Sequence, residues 1–384
     1  MEHSFFNPVA ISFLEPGNWK SKVLEVVALR EPVLFIYSKS AMRSADMDSS
    51  LLDWLHSQSN VKLITGIESN PSISQFVSVR KNLGELPHTI FALGGGSVID
   101  VAKILKGLAN ASLEMDEAAF LNFISSKGYL KLENSSIKLI ALPSTAGTGS
   151  ELTKWATIWD MQNKKKYSVE REDMYPSEAW IDPLLSAGMT KEITVSTGLD
   201  AMCQAIEAYW STKSNPIVRR LSVRAISEVL MHLEQAADHP EDIEARGGMC
   251  QGSVFAGLAF SQTRTTACHA LSYPLTARFG IPHGIAVSMS IIPILRLNWE
   301  YIQEKELFLS AFCCHDRPEL EAALERLLSL YVYPVVKALG PIGNLSAIIP
   351  EDIGSMGDRL GNNPTTISKS EIIVIYKQMF CNNY

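Results

Sequence analysis

The chain has 384 residues, of which 46% are hydrophobic and 20% charged, with a formal charge of -7. That is an ordinary globular composition, long enough for two domains, and its acidic balance argues against nucleic acid or an anionic membrane as partner, since both call for basic patches. No apolar run of about 20 residues predicts a transmembrane helix, and the opening MEHSFFNPVAISFLEPGNWK lacks the basic-then-apolar order of a secretory leader.

In chain order, VLFIYS (Val33 to Ser38) reads as a strand, LLDWLHSQS (Leu51 to Ser59) as a helix and VKLITGI (Val61 to Ile67) as a strand. ISQFVSVRKNLGE (Ile73 to Glu85) reads as a helix, and TIFALGGG (Thr89 to Gly96) as a strand entering a turn. VIDVAKILKGLAN is the helix that follows, and IKLIALPST (Ile137 to Thr145) another strand. Apolar strands alternating with helices of this length predict a parallel sheet with crossover helices. After about Pro183 helical periodicity takes over: TVSTGLDAMCQAIEAYWS, NPIVRRLSVRAISEVLMHLEQAA, DIEARGGMCQGSVFAGLAF, PELEAALERLLSLYVYPVVKAL and SKSEIIVIYKQMF. The expected organisation is an α/β domain over residues 1–184 and an all-helical domain over 185–384.

Three stretches carry chemistry. In FALGGGSVIDVAK an apolar strand meets three glycines, a serine and a helix, so backbone N–H groups and the helix dipole face any diphosphate placed there. It matches neither GxGxxG nor a Walker loop, and a plain glycine-rich strand-to-helix turn is an equal reading. LPSTAGTGSELT (Leu142 to Thr153) also follows a strand; it suits a pyrophosphate or nicotinamide, or is simply a helix start capped by Ser150 or Thr148. Two such loops at one end of a parallel sheet stand where open α/β folds bind ligands.

The third stretch is a possible metal set. In TGLDAMCQAIEAYW, Asp200 and Gln204 lie four apart on one helical face, and TTACHALSYPLTARFGIPHG supplies His269 and His283, the latter in a Pro-His-Gly turn. One carboxylate, one amide and two imidazoles are enough groups for a divalent iron, zinc or manganese ion. Histidine spacing has no unique meaning, and structural histidines are the alternative. The six cysteines, Cys203, Cys250, Cys268, Cys313, Cys314 and Cys381, include no CxxC pair, so reduced thiols and a cytoplasmic location are expected. Cys268 beside His269 reads as a soft ligand, a nucleophile or a small buried residue.

Together GGGSVIDVAK, PSTAGTGSE, TGLDAMCQAIEAYWS and HALSYPL…IPHG resemble the iron-containing alcohol dehydrogenase family, from Val33 to NNPTTISKSEIIVIY. The resemblance implies a dehydroquinate synthase-like fold: an N-terminal dinucleotide-binding α/β domain with a parallel sheet, then an all-α metal-binding domain. It implies cofactor contacts at Gly94, Gly95, Gly96, Ser97 and Asp100, at Ser144, Thr145 and Thr148, and at Lys166. It implies metal ligation by Asp200, His269 and His283, with the two histidines at the catalytic centre, and a homodimer. The family's usual fourth ligand, a histidine, is Gln204 here, so iron, zinc or manganese, or a lost metal, are all open. A histidine common in the proton path is replaced by Tyr273. Ser38 stands where NAD-using members carry an acid; with Lys39 and Arg43 nearby this favours NADP over NAD.

Arg264, with Lys154 and Arg278 as further candidates, would grip an anionic group near the carbonyl, although each also reads as a solvated or ion-paired cation. The wording of TRT, SYPLTARFGIPHG and KKKYS is similar to the phosphonoacetaldehyde reductase branch. The implied reaction is NAD(P)H-dependent reduction of a small anionic aldehyde, phosphonoacetaldehyde to 2-hydroxyethylphosphonate. Alternatives are a general short-chain alcohol or hydroxy-acid dehydrogenase and a catalytically degenerate nucleotide-binding protein.

Overall fold

The computed structural model describes residues 4–47, 49–111, 116–163, 165–339 and 357–381. It divides into two compact units. One comprises Asn7–Thr190 and His239–Cys250; the other comprises Lys191–Asp238 and the described residues from Gln251 onward, with those up to Phe6. This differs from a single cut after residue 184, because a short segment in the middle of the helical half packs with the α/β unit.

The α/β unit is built on a six-stranded, all-parallel sheet of β1 (Ala10–Phe13), β2 (Val33–Tyr37), β3 (Val61–Thr65), β4 (Thr89–Gly94), β5 (Lys138–Pro143) and β8 (Glu178–Ile181), in the order β1-β8-β5-β4-β2-β3. Its helices are α1 (Trp19–Val27), α2 (Lys39–Ala45), α3 (Ser50–Ser57), α4 (Ile73–Leu83), α5 (Gly96–Gly107) and α6 (Glu117–Ser125). Alternate residues of each strand face opposite sides, which is why the strands read as unbroken apolar runs. Leu34, Ile36, Ile90, Ala92, Leu139 and Ala141 join one core with α4, α5 and α6. Val33, Phe35, Phe91, Leu93, Ile140 and Leu142 join another with α1, α2 and α3.

The expected parallel sheet is present, and one element was not foreseen. Beyond the parallel sheet the unit contains an antiparallel pair, β6 (Trp155–Asp160) and β7 (Lys165–Glu170). The stretch carries polar residues such as Lys165, Lys166 and Glu170, and so lacks the unbroken apolar run of a central strand. β1, β8 and helices α1, α2 and α6 also escaped the sequence reading, being short or weakly periodic.

The second unit is helical: α7 (Lys191–Trp210), α8 (Pro216–Asp238), α9 (Ile243–Thr263), which begins among the α/β unit's residues, α10 (Ala267–Phe279), α11 (His283–Ser288), α12 (Ile291–Asn298), α13 (Lys305–Ser310), α14 (Arg317–Tyr331), α15 (Tyr333–Ala338), α16 (Gly357–Leu360) and α17 (Lys369–Cys381). The single predicted helix through SLYVYPVVKAL is two, because Pro334 lacks the N–H that a continuous helix needs and sits instead in the first turn of α15. None of the helices is long and apolar enough to cross a membrane among the described residues. The described cysteines Cys203, Cys250, Cys268, Cys313 and Cys314 are all free.

Candidate functional site

At the carboxyl ends of β2, β4 and β5 three loops lie side by side. Ser38 N–H donates to Leu93 O (2.8 Å) and Ser144 N–H to Gly94 O (2.9 Å). The connection after β2 runs to β3 on one side and that after β4 to β5 on the other, so the strand order reverses between β2 and β4, the place where open sheets leave a crevice. Gly95 is the N-cap of α5 and offers no side-chain hydrogen bond to the helix's first N–H groups. A Cβ on Gly95 would stand 3.2 Å from Thr145, and one on Gly96 3.1 Å from Thr148. The glycines therefore let the two loops approach closely. The buried Thr145 hydroxyl has no hydrogen-bond partner. An orphaned buried hydroxyl is costly, and a bound dinucleotide's polar atoms would satisfy it.

Other expected cofactor residues have work within the protein. Asp100 accepts from Ser150 Oγ (2.5 Å) and Thr157 N–H (2.8 Å) and pairs with Lys103 Nζ (3.1 Å). Lys103, fully buried, donates to Ser150 O (2.9 Å), Thr153 Oγ1 (3.0 Å) and Trp155 O (2.5 Å). Burial pulls its ammonium down while Asp100 opposes the fall. Asp100 thus braces the second loop. Ser38 caps α2, accepting from Ala41 N–H (3.5 Å) and bonding to Ser40 Oγ (2.9 Å); a small capping hydroxyl replaces any ribose-binding acid there. Ser97 Oγ accepts from Asn70 N–H (3.2 Å). Lys166 lies over the Trp159 ring, 5.9 Å from its centroid. Lys154 is an ion-pair partner of Glu172 and of Glu170 (3.8 Å). These partly exposed ion pairs occupy it in this structure.

In the helical unit, Asp200, His269 and His283 do converge: one ligand atom of each lies within 4.8 Å of the others. Asp200 projects from the middle of α7. His269 stands in the first turn of α10 and His283 at the first residue of α11, fixed by the Pro282 turn. Gly284 makes this possible: a Cβ there would lie 1.7 Å from Ser196 O and 3.0 Å from Asp200 N. Only a glycine lets α11 press on α7 at the level of Asp200.

Electrostatics complete the set. His269 Nε2 faces Asp200 Oδ1 at 3.1 Å and its Nδ1 contacts Glu207 Oε2. Burial disfavours the imidazolium, but Glu207 and Asp200 together outweigh it and hold His269 at about 9. Burial would raise Asp200, yet His269, His283 and a hydrogen bond from Gln204 keep it below the ordinary range. Gln204 donates to Asp200, while its buried Oε1 has no partner. Two imidazoles, a carboxylate and an orphaned carbonyl oxygen fit a divalent transition metal, which would take the place of the proton between His269 and Asp200.

Glu207 was missed from the sequence. Its Oε1 accepts from Thr266 Oγ1 (2.8 Å) and from the N–H groups of Thr266 (3.1 Å), Cys268 (2.7 Å) and His269 (3.3 Å). A carboxylate thus sits on the amino end of α10, where the helix dipole favours it, and orients the histidine as carboxylates do behind metal ligands. The signal was present: Glu207 lies three and seven residues past Gln204 and Asp200, on the same helical face.

Tyr273 is stacked on His283, ring centroids 6.0 Å apart and planes at 6°. Burial first, with Glu207 and Asp200, pushes its phenol up to about 12 against the pull of Arg359 and Arg264. It stays protonated at neutral pH. Cys268 is fully buried, and burial raises its thiol well above the ordinary range, as suits a small buried residue. Arg264, at φ 60°, joins α9 to α10, and Arg278 is exposed in the last turn of α10.

Comparison with known proteins agrees with this arrangement. Residues 12–183 match a model for iron-containing alcohol dehydrogenase, and residues 194–331 one for the C-terminal part of the Fe-containing alcohol dehydrogenase family. A phosphonoacetaldehyde reductase of Streptomyces viridochromogenes is 35% identical over 54% of this chain and 52% of its own, so the match spans about half of that relative. A probable alcohol dehydrogenase of Escherichia coli is 31% identical over 75% of this chain and 71% of its own. The crystal structure of sulfoacetaldehyde reductase from Bifidobacterium kashiwanohense in complex with NAD+ is 26% identical and covers 99% of both chains with a TM-score of 0.81. The chain belongs to the iron-containing alcohol dehydrogenase family.

Proposed function

We propose that the protein uses NAD(P)H to reduce a small anionic aldehyde to its primary alcohol, phosphonoacetaldehyde to 2-hydroxyethylphosphonate being the favoured pair. The dinucleotide, when bound, would supply a hydride to the carbonyl carbon and depart oxidised, while a proton is delivered to the oxygen. A divalent ion, when bound, polarises the carbonyl oxygen and stabilises the charge that develops there. Asp200, His269, His283 and the Gln204 carbonyl would hold it. Glu207 keeps His269 in the tautomer that presents Nε2, and Tyr273 offers its hydroxyl proton to the nascent alkoxide or to a water beside it.

The observation that carries this reading is the convergence of Asp200, His269 and His283 around the unpartnered Gln204 oxygen. It also speaks against a degenerate nucleotide-binding protein, since a lost site has no reason to keep Glu207 behind His269. The Gly95–Gly96 and Thr145–Thr148 loops support the dinucleotide, and the absence of an acid at Ser38, with exposed Lys39 and Arg43, favours NADP over NAD. Arg264 is the favoured cation for the substrate's anionic end, with Lys154 and Arg278 as further candidates. A general short-chain alcohol dehydrogenase is the second reading, favoured by the pairing of Lys154 with Glu172 and by the exposure of Arg278. A homodimer is part of the same proposal, to be checked by sedimentation.

The test is oxidation of NADH and NADPH with phosphonoacetaldehyde and with propanal, each with added ferrous iron, zinc or manganese. A clear preference for the phosphonate is expected. Equal catalytic efficiency for the two aldehydes leaves the second reading standing, and no turnover with any metal removes both.

A further inference from the structure

Tyr273 belongs to a chain of contacts that ends in a cation. Ring centroids step 5.5 Å from His269 to His283 and 6.0 Å from His283 to Tyr273, and the Arg359 guanidinium lies over the Tyr273 ring, 4.7 Å from its centroid. Among the described residues no carboxylate pairs with Arg359. The positive charges of Arg359 and Arg264 both pull the Tyr273 phenol down, against the larger effect of burial.

Two asparagines explain how residues so distant in the chain are brought together. Asn362, buried and three residues past Arg359, donates from Nδ2 to Thr265 O (3.3 Å), one residue past Arg264. Its carbonyl accepts from the N–H (3.0 Å) and hydroxyl (3.3 Å) of Thr212, just beyond the end of α7. Asn363, also buried, exchanges hydrogen bonds with Asn298 (2.8 and 2.9 Å). The segment after Arg359 is thus bolted to the residue after Arg264, and α16 is held against α10. Arg264 itself adopts a left-handed backbone at φ 60°, uncommon for a side chain of its size.

We infer that Arg264 and Arg359 form a two-guanidinium clamp for the oxyanion head of the substrate, with Tyr273 lying between the clamp and the metal-binding residues. The ligand class is an aldehyde bearing a tetrahedral oxyanion, phosphonate or sulfonate, on the carbon next to the carbonyl. Each guanidinium offers parallel N–H groups that match a pair of oxygens, and a head with three oxygens can engage two such forks. The Tyr273 ring face holds the Arg359 guanidinium beside it by a cation–π contact. The inference rests on the aldehyde reductase reading above and adds Arg359, which that reading does not require.

The experiment compares wild type, Arg359→Gln and Arg359→Lys on phosphonoacetaldehyde, sulfoacetaldehyde and propanal, with melting temperatures as the folding control. Calorimetric titration of 2-hydroxyethylphosphonate into each protein supplies a readout independent of turnover. In Arg359→Gln the preference in kcat/KM for phosphonoacetaldehyde over propanal should fall roughly tenfold to a hundredfold, through KM, as expected for loss of a charged hydrogen-bonding partner. Alcohol binding should weaken in step, and Arg359→Lys should lose less. A parallel fall for sulfoacetaldehyde marks the clamp as a general oxyanion site, and a fall confined to phosphonoacetaldehyde marks it as selective for the dianion; both support it. If wild type prefers the anionic aldehydes but Arg359→Gln keeps that preference and the alcohol affinity within twofold, the clamp is wrong and the anionic-substrate reading survives. If wild type shows no preference, both fall. If no aldehyde is reduced yet 2-hydroxyethylphosphonate binds through Arg359, the clamp stands and the reductase reading falls.

Discussion

Glu207 is the residue on which the candidate metal site turns. One of its oxygens gathers three backbone N–H groups and a hydroxyl at the start of α10, while the other faces His269 Nδ1. Glu207→Gln can still accept at the helix end but loses the charge behind the imidazole. Metal retention should drop about 10- to 100-fold, read as metal content after dialysis against graded chelator; full retention would remove Glu207 from the site. Thr145→Val tests the other unit. Removing an orphaned hydroxyl should leave the melting temperature of the ligand-free protein equal or higher while weakening NADPH binding, measured by fluorescence titration. Tyr273→Phe should lower kcat by about tenfold or more if its hydroxyl supplies the proton, and an unchanged rate and pH profile ends that role.

Glu151 gives a pH prediction at the same scale. Burial raises its carboxyl to about 7, with its own backbone N–H and Lys103 pulling the other way. The folded state therefore holds this proton where the unfolded chain has released it. The stability so gained is complete below the ordinary glutamate range and is lost as pH rises through about 7. Glu151→Gln has no such loss, so its melting temperature should gain on wild type between about pH 5 and pH 8; a constant gap would contradict the assignment.

At the scale of elements, the approach of α11 to α7 decides whether His283 reaches Asp200. Gly284→Ala places a methyl group 1.7 Å from Ser196 O, against backbone that cannot yield as a side chain does. The substitution should cost about 3 kcal/mol or more in stability and abolish metal binding, checked by thermal melts and metal analysis together. Gly96→Ala meets only the Thr148 side chain at 3.1 Å. It should cost far less stability and act instead on cofactor affinity. The parallel sheet was legible because its central strands are buried on both faces and so read as apolar runs. The β6–β7 pair was not, because a half-exposed strand with lysines and glutamates shows neither a continuous run nor clean alternation.

At the scale of the molecule, each compact unit carries one candidate ligand site: the glycine and threonine loops in one, the Asp200, His269 and His283 cluster in the other. Ligands that bind only the folded state stabilise it by mass action, about 4 kcal/mol at a thousandfold excess over Kd. Calorimetry should show zinc or ferrous iron shifting the melting of the helical unit, and chelator should reverse the shift. NADPH should shift that of the α/β unit.

Local pattern was enough for the alternation of strand and helix, the two loops after strands, and Asp200, Gln204, His269 and His283 as ligand candidates, because those features rest on periodicity and on residue types within one stretch. Four matters depended on contacts between stretches far apart in the chain. Asp100 braces a loop, Lys154 pairs with Glu170 and Glu172, Glu207 stands behind His269, and Arg359 lies over Tyr273. A charged side chain's role is set by which opposite charge, ring or N–H group packs against it. That neighbour is chosen by the folding of the whole chain: helical spacing puts Glu207 on the face of Asp200 and Gln204, but only the fold brings His269 to it.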